Sequence, residues 1–313
     1  MSQDIGASSL TSKVLMIEPV NFGFNSETAG SNDFQNRHME GQNLQEKALR
    51  EFHAIVEKLL EAGVSVEVIS DTPEPVTPDS IFPNNWVSFH EDGRVCVYPM
   101  MAKNRRGERR RDILERLSID HQLTGIVDLT SAENDGKFLE GTGSMVLDRA
   151  NRIAYATPSS RTDPEPFDRF CHEFGYEALT FLTEYPSGQA IYHTNVVMAI
   201  GEQTAVVCLE VIPNPQDVKN IVSSLAVTGR KVVPITLEQM EHFAGNMLQV
   251  ATTDGGKLWV MSDQAFQSLT GEQRQILSMD APILSSPIPT IEGAGGGSAR
   301  CMLAEVFLPM KVC

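Results

Sequence analysis

Short apolar runs recur along the chain, and each group of them is followed by a charged stretch with helical spacing. Beginning at "VSVEVIS" (64–70), the runs "NNWVSFH" and "RVCVYPM" complete three predicted strands, and "GERRRDILERL" predicts the helix that follows. The same order returns in three further copies, which begin at "GIVDLT", "ALTFLT" and "KVVPIT". A fifth copy combines both ends of the chain, with "APILSS" and "RCMLAEVFL" near the end and "KVLMIEP" and "LQEKALREFHAIVEKLLEAG" near the start.

Five copies of one strand and helix unit predict an α/β ring with short strands inside and helices outside. A ring also suits the length of 313 residues, for which two domains would be the other arrangement. In each copy a polar residue stands at or just before the start of the middle strand: Asn85, Glu140, His193, Asn246 and Cys301. A ring brings these positions to one axis, and convergent polar groups in an apolar interior predict a binding or active site.

The acidic composition narrows the classes of partner. With 25 Lys and Arg against 41 Asp and Glu, the formal net charge is −16, which argues against a nucleic-acid-binding surface. The sequence has no secretory pattern at its start and no segment as long as a transmembrane helix, so we expect a cytoplasmic protein without membrane contact. Its five cysteines are widely spaced and predict neither a disulfide framework nor a zinc site.

Cys301 follows a glycine cluster in "EGAGGGSARCMLAEVFL", where the backbone can approach a ligand closely. We expect it to be a nucleophile. The alternative is a buried structural thiol, which is our expectation for Cys96, Cys171 and Cys208. Cys313 is expected to be an exposed terminal thiol.

His193, in "YHTNVVMAIG", and Glu140, in "FLEGTGSMVLD", are polar residues among apolar or small ones. A histidine in that setting is often a hydrogen-bonded core residue. However, His193 shares its place in the repeat with Cys301, and thiol chemistry needs an acid or base nearby. The alternative for Glu140, and for Asp79 after "TP", is a carboxylate that caps a turn.

Two arginines are candidates to bind a substrate carboxylate, because paired guanidinium groups suit that ligand. Arg105 lies in "KNRRGERRR", a stretch that otherwise predicts a solvated loop and helix start, and Arg161 lies in "SSRTDP" at the equivalent loop of the next unit. The loop 21–35 is rich in Asn, Ser and Gly. It is either a lid over the site or an ordinary surface loop.

Together, "DSIFPNNWVSF" with a later "RR", "LEGTGSMVLDR" followed by "SSRTDP", "YHTN" and a C-terminal Gly-rich loop with Cys resemble the guanidino-group-modifying enzymes. That superfamily includes arginine deiminases, dimethylarginine dimethylaminohydrolases, amidinotransferases and arginine dihydrolases. The resemblance extends over nearly the whole chain. It implies one catalytic domain over residues 1–313 with the five-bladed α/β propeller fold, also called pentein.

The family roles, carried over to this sequence, make Cys301 the nucleophile, His193 the general acid and base, and Glu140 its acidic partner. Substrate contacts would fall on Asp79, Asn84, Asn85, Asn195, Arg105 and Arg161. The resemblance implies no metal or organic cofactor. The implied partner is a small amino-acid substrate, and a homo-oligomer stays open.

Asn85 and Asn195 depart from the deiminase pattern, in which aspartates at the matching positions bind a guanidinium. A buried guanidinium without a counter-charge is unfavourable, whereas an amide offers donors and an acceptor to a neutral ureido group. This difference makes the chain most similar to the citrulline-utilisation hydrolases and the arginine dihydrolases. We therefore expect hydrolysis of citrulline to ornithine, ammonia and carbon dioxide. Because Asp79 is a carboxylate, arginine dihydrolase and arginine deiminase activities stay open, as do an amidinotransferase and a non-catalytic binder.

Overall fold

The computed structural model describes residues 10–39 and 43–311, and within them the strands form five separate three-stranded sheets. In chain order the strands of these residues are β1 Lys13–Glu18, β2 Ser65–Ser70, β3 Val87–Phe89, β4 Arg94–Val97, β5 Gly125–Asp128, β6 Met145–Asp148, β7 Ile153–Ala156, β8 Glu177–Thr180, β9 Met198–Ile200, β10 Thr204–Val207, β11 Lys231–Pro234, β12 Leu248–Ala251, β13 Lys257–Ser262, β14 Ile283–Ser286 and β15 Ala304–Glu305. The α-helices are α1 Leu44–Glu61, α2 Arg111–Asp120, α3 Gly141–Ser144, α4 Pro164–Phe174, α5 Thr194–Val197, α6 Pro215–Val227, α7 Leu237–Glu241, α8 Asp263–Ser268 and α9 Gly271–Asp280.

Each sheet combines an antiparallel pair with a parallel third strand. In one sheet, β3 is antiparallel to β4, with Val87 opposite Val97, and β4 is parallel to β5. Parallel neighbours need a crossover connection, which α2 supplies between β4 and β5. The same arrangement holds for β6 to β8 with α4, for β9 to β11 with α6, and for β12 to β14 with α8 and α9.

The fifth sheet joins the two ends of the described chain. β15 is antiparallel to β1, and β1 is parallel to β2, with α1 as the crossover. α1 buries Phe52, Ile55 and Leu59 in the same apolar cluster as Val14 and Met16 of β1. Each such buried side chain contributes about 1.5–3 kcal/mol. The packing of α1 therefore holds both ends of the chain in one sheet.

Helix ends follow the local sequence. α4 begins where the Asp163 side chain accepts a hydrogen bond from the backbone N–H of Glu165, and it ends at Gly175, whose φ is 68°. α9 begins with a capping box between Thr270 and Gln273. No helix in the described parts of the chain is long and apolar enough to cross a membrane.

Neighbouring sheets contact one another through their inner strands and close a ring. β15 contacts β3, β6 contacts β9, and β9 contacts β12. The turn Pro83–Asn85 before β3 contacts α3 before β6, and the turn Ala299–Met302 before β15 contacts β13. The predicted five-bladed α/β propeller, the pentein fold, is confirmed.

The sheet boundaries differ from the predicted grouping in one respect. In every unit the predicted first strand belongs to the preceding sheet. "VSVEVIS", which contains β2, was predicted in one unit with β3 and β4, but β2 pairs with β1. In the same way β5, β8, β11 and β14 pair with β4, β7, β10 and β13. A helical crossover lets the strand after a helix pair with a strand before it, and an apolar pattern does not specify that partner. The order of strand, strand, strand and helix along the chain is unaffected.

Candidate active site

The polar residues before the inner strands meet at the centre of the ring. Asn85 ends the 3-10 turn Pro83–Asn85, Glu140 and His193 immediately precede α3 and α5, and Cys301 lies in the 3-10 turn Ala299–Met302. The cavity between these turns has room for about one water molecule, about 10 Å³. Its lining consists of Asn32, Asp79, Phe82, Asn85, Arg105, Arg161, Tyr192, His193, Gly295, Gly296, Gly297 and Cys301.

Cys301 is buried, with 3% of its surface exposed. Its Sγ accepts hydrogen bonds from Nδ2 of Asn246 at 3.3 Å and from Nδ2 of Asn195 at 3.4 Å. The glycine loop beside it packs against the ring of Phe82, and a Cβ at Gly295 or Gly297 would lie 2.9 Å from that ring. The glycines therefore let the loop approach the cavity as closely as it does.

His193 and Glu140 form a buried pair, with 3.0 Å between His193 Nε2 and Glu140 Oε2. Burial lowers the pKa of His193 to about 4, although Glu140 opposes that shift. Burial alone would raise the pKa of Glu140, but Arg161, His193 and Arg105 outweigh it and hold the pKa below its ordinary value. Glu140 is therefore a carboxylate at neutral pH, and Nε2 of a neutral imidazole must donate to it. The other ring nitrogen, Nδ1, is left unprotonated and can accept a proton.

Arg105 is enclosed by acceptors. Its Nε and Nη2 donate to the two Glu108 oxygens at 2.8 and 2.9 Å, and its Nη1 donates to Asn85 Oδ1 at 2.9 Å. Burial alone would lower the pKa of Arg105, but Glu108 and Asp79 outweigh it and raise the pKa above its ordinary value. Arg105 is thus a fixed cation whose main partners belong to the protein.

Arg161 reaches the cavity from the next unit. Its Nη1 lies 3.4 Å from Glu140 Oε2, and its guanidinium carbon lies 5.0 Å from the centre of the Tyr192 ring. Its Nε and Nη2 both donate to Ser31 Oγ, at 3.1 and 2.8 Å, and Nη2 also donates to the Thr28 carbonyl at 3.0 Å. One side of this guanidinium is therefore bonded to the loop 21–35 rather than to the ring.

Asp79 is buried, and its Oδ2 accepts hydrogen bonds from Asn25 Nδ2 at 2.7 Å and Thr28 Oγ1 at 3.3 Å. Its Oδ1 is buried without any hydrogen-bond partner in the described residues. Burial raises the pKa of Asp79, against the opposing effects of Arg105 and the hydrogen bond from Asn25. An unpaired buried carboxylate oxygen at the cavity wall is a vacant acceptor for a ligand N–H.

The loop 21–35 covers the site, as the lid hypothesis requires. Asn32 lines the cavity and donates to the carbonyl of Gly296 at 3.1 Å, while Thr28 and Ser31 contact Arg161. The Ser31 hydroxyl and the Thr28 backbone carbonyl thus replace solvent at the guanidinium group of Arg161. Together with the small cavity volume, these contacts describe a closed site.

The amides occupy different positions. Asn85 lines the cavity, and its Nδ2 has no hydrogen-bond partner in the described residues. Asn195 contacts Cys301, and its Oδ1 is likewise unpaired. Asn84 does not line the cavity, because its Nδ2 turns to Thr142 Oγ1 at 3.3 Å. Of the residues expected to contact substrate, Asn84 therefore lies behind the cavity wall.

Larger open spaces lie elsewhere on the described surface. One of them, of about 820 Å³, is a groove lined by residues of α7 and α8 together with Glu292. It contains none of the residues of the central cavity and no cysteine. Because the convergent charges, unpaired amides and thiol all lie at the axis, we assign the chemistry to the small cavity.

The other thiols have structural positions. Cys96, Cys171 and Cys208 are buried in apolar clusters. Burial raises the pKa of Cys171 to about 12 and that of Cys208 to about 11, and it raises the pKa of Cys96 also. Cys313 lies outside the described residues.

The sequence reasoning missed several residues of the site. Glu108, the partner of Arg105, lies in a charged run that resembles a solvated helix start, and Asn25, Thr28 and Ser31 lie in a loop without any apolar pattern. The spacing of Arg105 and Glu108, three residues apart, is a helical spacing that could have suggested their contact.

A family model of eukaryotic N,N dimethylarginine dimethylhydrolase matches residues 18–308. The chain belongs to this family. It is thereby a member of the guanidino-modifying pentein superfamily, as its sequence motifs predicted. Comparison with curated protein sequences gives no significant match.

Solved structures share the fold at low identity. The N-terminal domain of ArgZ, a cyanobacterial arginine dihydrolase of the ornithine-ammonia cycle, bound to its substrate, has a TM-score of 0.74 and 16% identity over 95% of this chain and 98% of that domain. AgrE with ornithine and NAD+ has a TM-score of 0.75 and 17% identity over 96% of this chain, which spans 40% of AgrE. A dimethylarginine dimethylaminohydrolase adduct with 4-chloro-2-hydroxymethylpyridine has a TM-score of 0.63 and 14% identity, covering 95% of this chain and 99% of that one. At these identities the likeness establishes the fold.

Proposed function

We propose that this protein hydrolyses the ureido group of a free amino acid, with citrulline as substrate and ornithine, ammonia and carbon dioxide as products. The observation that carries the proposal is the fixed orientation of Asn85. Its Oδ1 accepts the hydrogen bond from Arg105 Nη1, so the side that faces the ligand is the N–H donor of Nδ2. A guanidinium offers donors alone, whereas a ureido group offers a carbonyl oxygen to accept from this donor.

The first step uses Cys301 and His193. The Cys301 proton passes to the neutral His193 as the sulfur attacks the ureido carbon, and Asn85 Nδ2 stabilises the negative charge that develops on the ureido oxygen. His193 then gives the proton to the terminal nitrogen, which leaves as ammonia. Glu140 keeps the imidazole in the required tautomer through its 3.0 Å contact with Nε2. The result is a thiocarbamate that joins Cys301 to the δ-nitrogen of ornithine.

The second step hydrolyses this thiocarbamate. His193 takes a proton from water, the resulting hydroxide adds to the carbonyl carbon, and the sulfur leaves and regains the proton. The released N-carboxyornithine loses carbon dioxide without assistance and gives ornithine. In sum, one citrulline and one water become one ornithine, one ammonia and one carbon dioxide, so no oxidant or reductant is needed.

The amino-acid end of the substrate has two complementary groups in the cavity. The unpaired Oδ1 of Asp79 suits the α-ammonium group. The Nε and Nη2 side of Arg161 suits the α-carboxylate, because two parallel N–H groups match its two oxygens. Ser31 now occupies that side of Arg161, and the cavity holds about one water, so binding requires the loop 21–35 to move.

An arginine dihydrolase is the second candidate, and the charges at the site favour it. Asp79, Glu108 and Glu140 are three carboxylates around the two guanidinium groups of Arg105 and Arg161. Burial raises the pKa of Glu108 to about 7 and also raises that of Asp79. When all three carboxyl groups are ionised, one negative charge is uncompensated and favours a substrate with a net positive charge, such as arginine. The same hydrolytic step would then occur twice, first at the guanidinium and then at the ureido group.

Trapping the covalent intermediate tests the chemistry. The protein is quenched in acid during turnover of citrulline labelled with ¹³C in the ureido group, and peptides are analysed by mass spectrometry. We expect a Cys301 adduct that carries both the labelled carbon and the ornithine chain, and no adduct in Cys301→Ala. Formation of labelled carbamoylglycine with added glycine, with ornithine as the leaving group, would instead indicate a transferase, the ureido counterpart of an amidinotransferase. Absence of an adduct and of turnover would favour a non-catalytic binder.

A further inference from the structure

We infer that Asn246 is a further catalytic residue, whose side-chain amide donates a hydrogen bond to the attacking sulfur of Cys301 and stabilises it as the anion. This inference rests on the proposed nucleophilic role of Cys301. Asn246 Nδ2 lies 3.3 Å from Cys301 Sγ, and the Asn246 side chain has no exposed surface. It comes from the fourth unit of the ring, in the turn immediately before β12.

The orientation of this amide is fixed from both ends. Asn246 Oδ1 accepts the backbone N–H of Arg300, the residue before the cysteine, at 3.1 Å. Nδ2 donates to the backbone carbonyl of Asn195 at 3.0 Å as well as to the sulfur. A flipped amide would place Oδ1 against that carbonyl and Nδ2 against the N–H of Arg300. Both of these contacts would be repulsive, so the amide does not flip. In this orientation Nδ2 is the amide atom nearer to the sulfur, at 3.3 Å, while Oδ1 lies 3.7 Å away, where it can accept from the thiol.

Gly245, the residue before Asn246, explains how the Asn246 amide comes so close to the Cys301 sulfur. A Cβ on Gly245 would overlap the backbone carbonyl of Val196, which belongs to α5. Glycine at this position therefore lets the turn that carries Asn246 pack directly on the helix that carries Asn195. As a result, two amides from neighbouring units both point their Nδ2 groups at one sulfur, at 3.3 and 3.4 Å.

The nearby arginine side chains form their hydrogen bonds and ion pairs with groups other than the Cys301 sulfur. The Arg300 guanidinium turns away to the carbonyl of Leu303 at 2.8 Å and to Glu305 at 2.8 Å. Arg105 is held by Glu108, and Arg161 contacts Glu140. His193 is neutral at pH 7, since its pKa is about 4. Hydrogen bonds to an anionic acceptor are stronger than those to a neutral one, so the two amides are the groups that favour a thiolate here.

The same contact acts at both ends of the reaction. During attack it stabilises the negative charge that develops on the sulfur as the thiol proton passes to His193. When the thiocarbamate is hydrolysed, sulfur leaves as a developing anion, and the donor stabilises that charge again. Loss of the donor should therefore slow both formation and hydrolysis of the intermediate.

Alkylation of Cys301 tests the inference without any substrate, so its outcome is independent of what the enzyme hydrolyses. Rates of reaction with iodoacetamide are measured from pH 5 to 10 in a Cys313→Ser background, with Cys301→Ala as the blank. The variants are Asn246→Ala and Asn246→Asp. The second keeps an acceptor for the Arg300 N–H and has the same shape, so it removes the donor while the packing is retained.

We expect both variants to react about tenfold or more slowly at pH 7 and to reach half of the maximal rate at higher pH, with the larger shift in Asn246→Asp. Unchanged rate profiles in folded variants would overturn the inference. A second measurement tests the inference in the native chain, in case the Asn246 variants do not fold. In the native chain labelled with ¹⁵N-asparagine, the side-chain amide resonance of Asn246, assigned by comparison with Cys301→Ala, should shift across the pH range in which the alkylation rate rises. A resonance that does not shift there would equally overturn the inference.

Discussion

Arg105 Nη1 donates to Asn85 Oδ1 at 2.9 Å, and this contact determines which atom of the Asn85 amide faces the cavity. Arg105 is itself held by both oxygens of Glu108. The contacts from Glu108 to Arg105 to Asn85 therefore leave the neutral N–H donor of Asn85 Nδ2 without a partner in the described residues. If the proposed function holds, these contacts link the choice of substrate to Glu108, which does not line the cavity.

Replacement of that donor tests its role. Asn85→Asp should lower kcat/KM for citrulline about a hundredfold or more, because an oxyanion donor is lost and a negative charge faces the developing one. The new carboxylate would pair with Arg105, so the melting temperature should not fall. Initial rates of ornithine formation measure the effect. Asn220→Asp, on the exposed face of α6, makes the same change of charge away from the site and serves as control. Full activity of Asn85→Asp would contradict the donor role.

Gly143 in α3 lies directly against the side chains of Asn85 and His193. A Cβ there would lie 2.7 Å from His193 Cε1 and would overlap Asn85 Nδ2. Gly143→Ala should therefore displace both groups and lower kcat about tenfold to a hundredfold, while far-UV circular dichroism stays unchanged. The matched control is Gly125→Ala in β5, where an added Cβ meets no atom within 4 Å. If Gly143→Ala kept the kcat of the parent, the proposed places of Asn85 and His193 in the reaction would be wrong.

Arg161 is expected to bind the substrate carboxylate. Arg161→Lys keeps the charge but loses the two parallel donors, so KM should rise about tenfold or more, and kcat should fall less. Some loss of kcat is expected because Arg161 also contacts Glu140, at 3.4 Å. Steady-state kinetics separate the two constants, with Arg116→Lys on the surface of α2 as the control. Equal losses in kcat and kcat/KM, with KM unchanged, would contradict a carboxylate-binding role.

We expect Glu292 to make the stability of the fold depend on pH. It lies in the π-helical turn Ile291–Gly295, and burial raises its pKa to about 7, although hydrogen bonds from Ser262 and Ser298 oppose the shift. Between about pH 4.5 and 7 the folded state keeps this proton while the unfolded state has lost it, so the contribution of Glu292 to stability falls as pH rises. Glu292→Gln removes this loss. Its free energy of unfolding relative to the native chain should rise between pH 5 and pH 8, by up to about 3 kcal/mol.

Urea unfolding at the two pH values measures this difference. Glu272→Gln, at an exposed position of α9, is the control and should show no such change. A constant difference between Glu292→Gln and the native chain would show that Glu292 does not titrate in this range.

The repeat pattern was sufficient to predict the ring and the approach of Asn85, Glu140, His193 and Cys301, because a fixed place in each unit becomes a place near one axis. It placed the strand after each crossover helix, such as β2 and β5, in the wrong sheet, since an apolar run does not specify the strand with which it pairs. Arg105 was expected to be available to the substrate, but Glu108 accepts two of its hydrogen bonds and Asn85 a third. Composition does not distinguish a charged run that folds inward from one that faces water.

The contacts of the loop 21–35 and the orientations of the amides could not be predicted from the sequence either. Polar loop residues such as Ser31 have no periodicity, so nothing in the pattern indicates that they bond to Arg161. Asparagine can present either a donor or an acceptor, and only its surroundings determine which one faces a ligand. For Asn85 and Asn246 those surroundings come from residues distant in sequence or from neighbouring backbone groups.

The most direct test of the account is to incubate the purified protein separately with L-citrulline and L-arginine and to quantify ornithine, citrulline and ammonia, with Cys301→Ala as the blank. We expect citrulline to yield ornithine and one ammonia, and we expect arginine not to be consumed. Ornithine with two ammonia molecules from arginine would identify the dihydrolase candidate, and citrulline as its end product would identify a deiminase. Either result, or the absence of turnover with citrulline, would contradict the proposed ureido specificity set by Asn85.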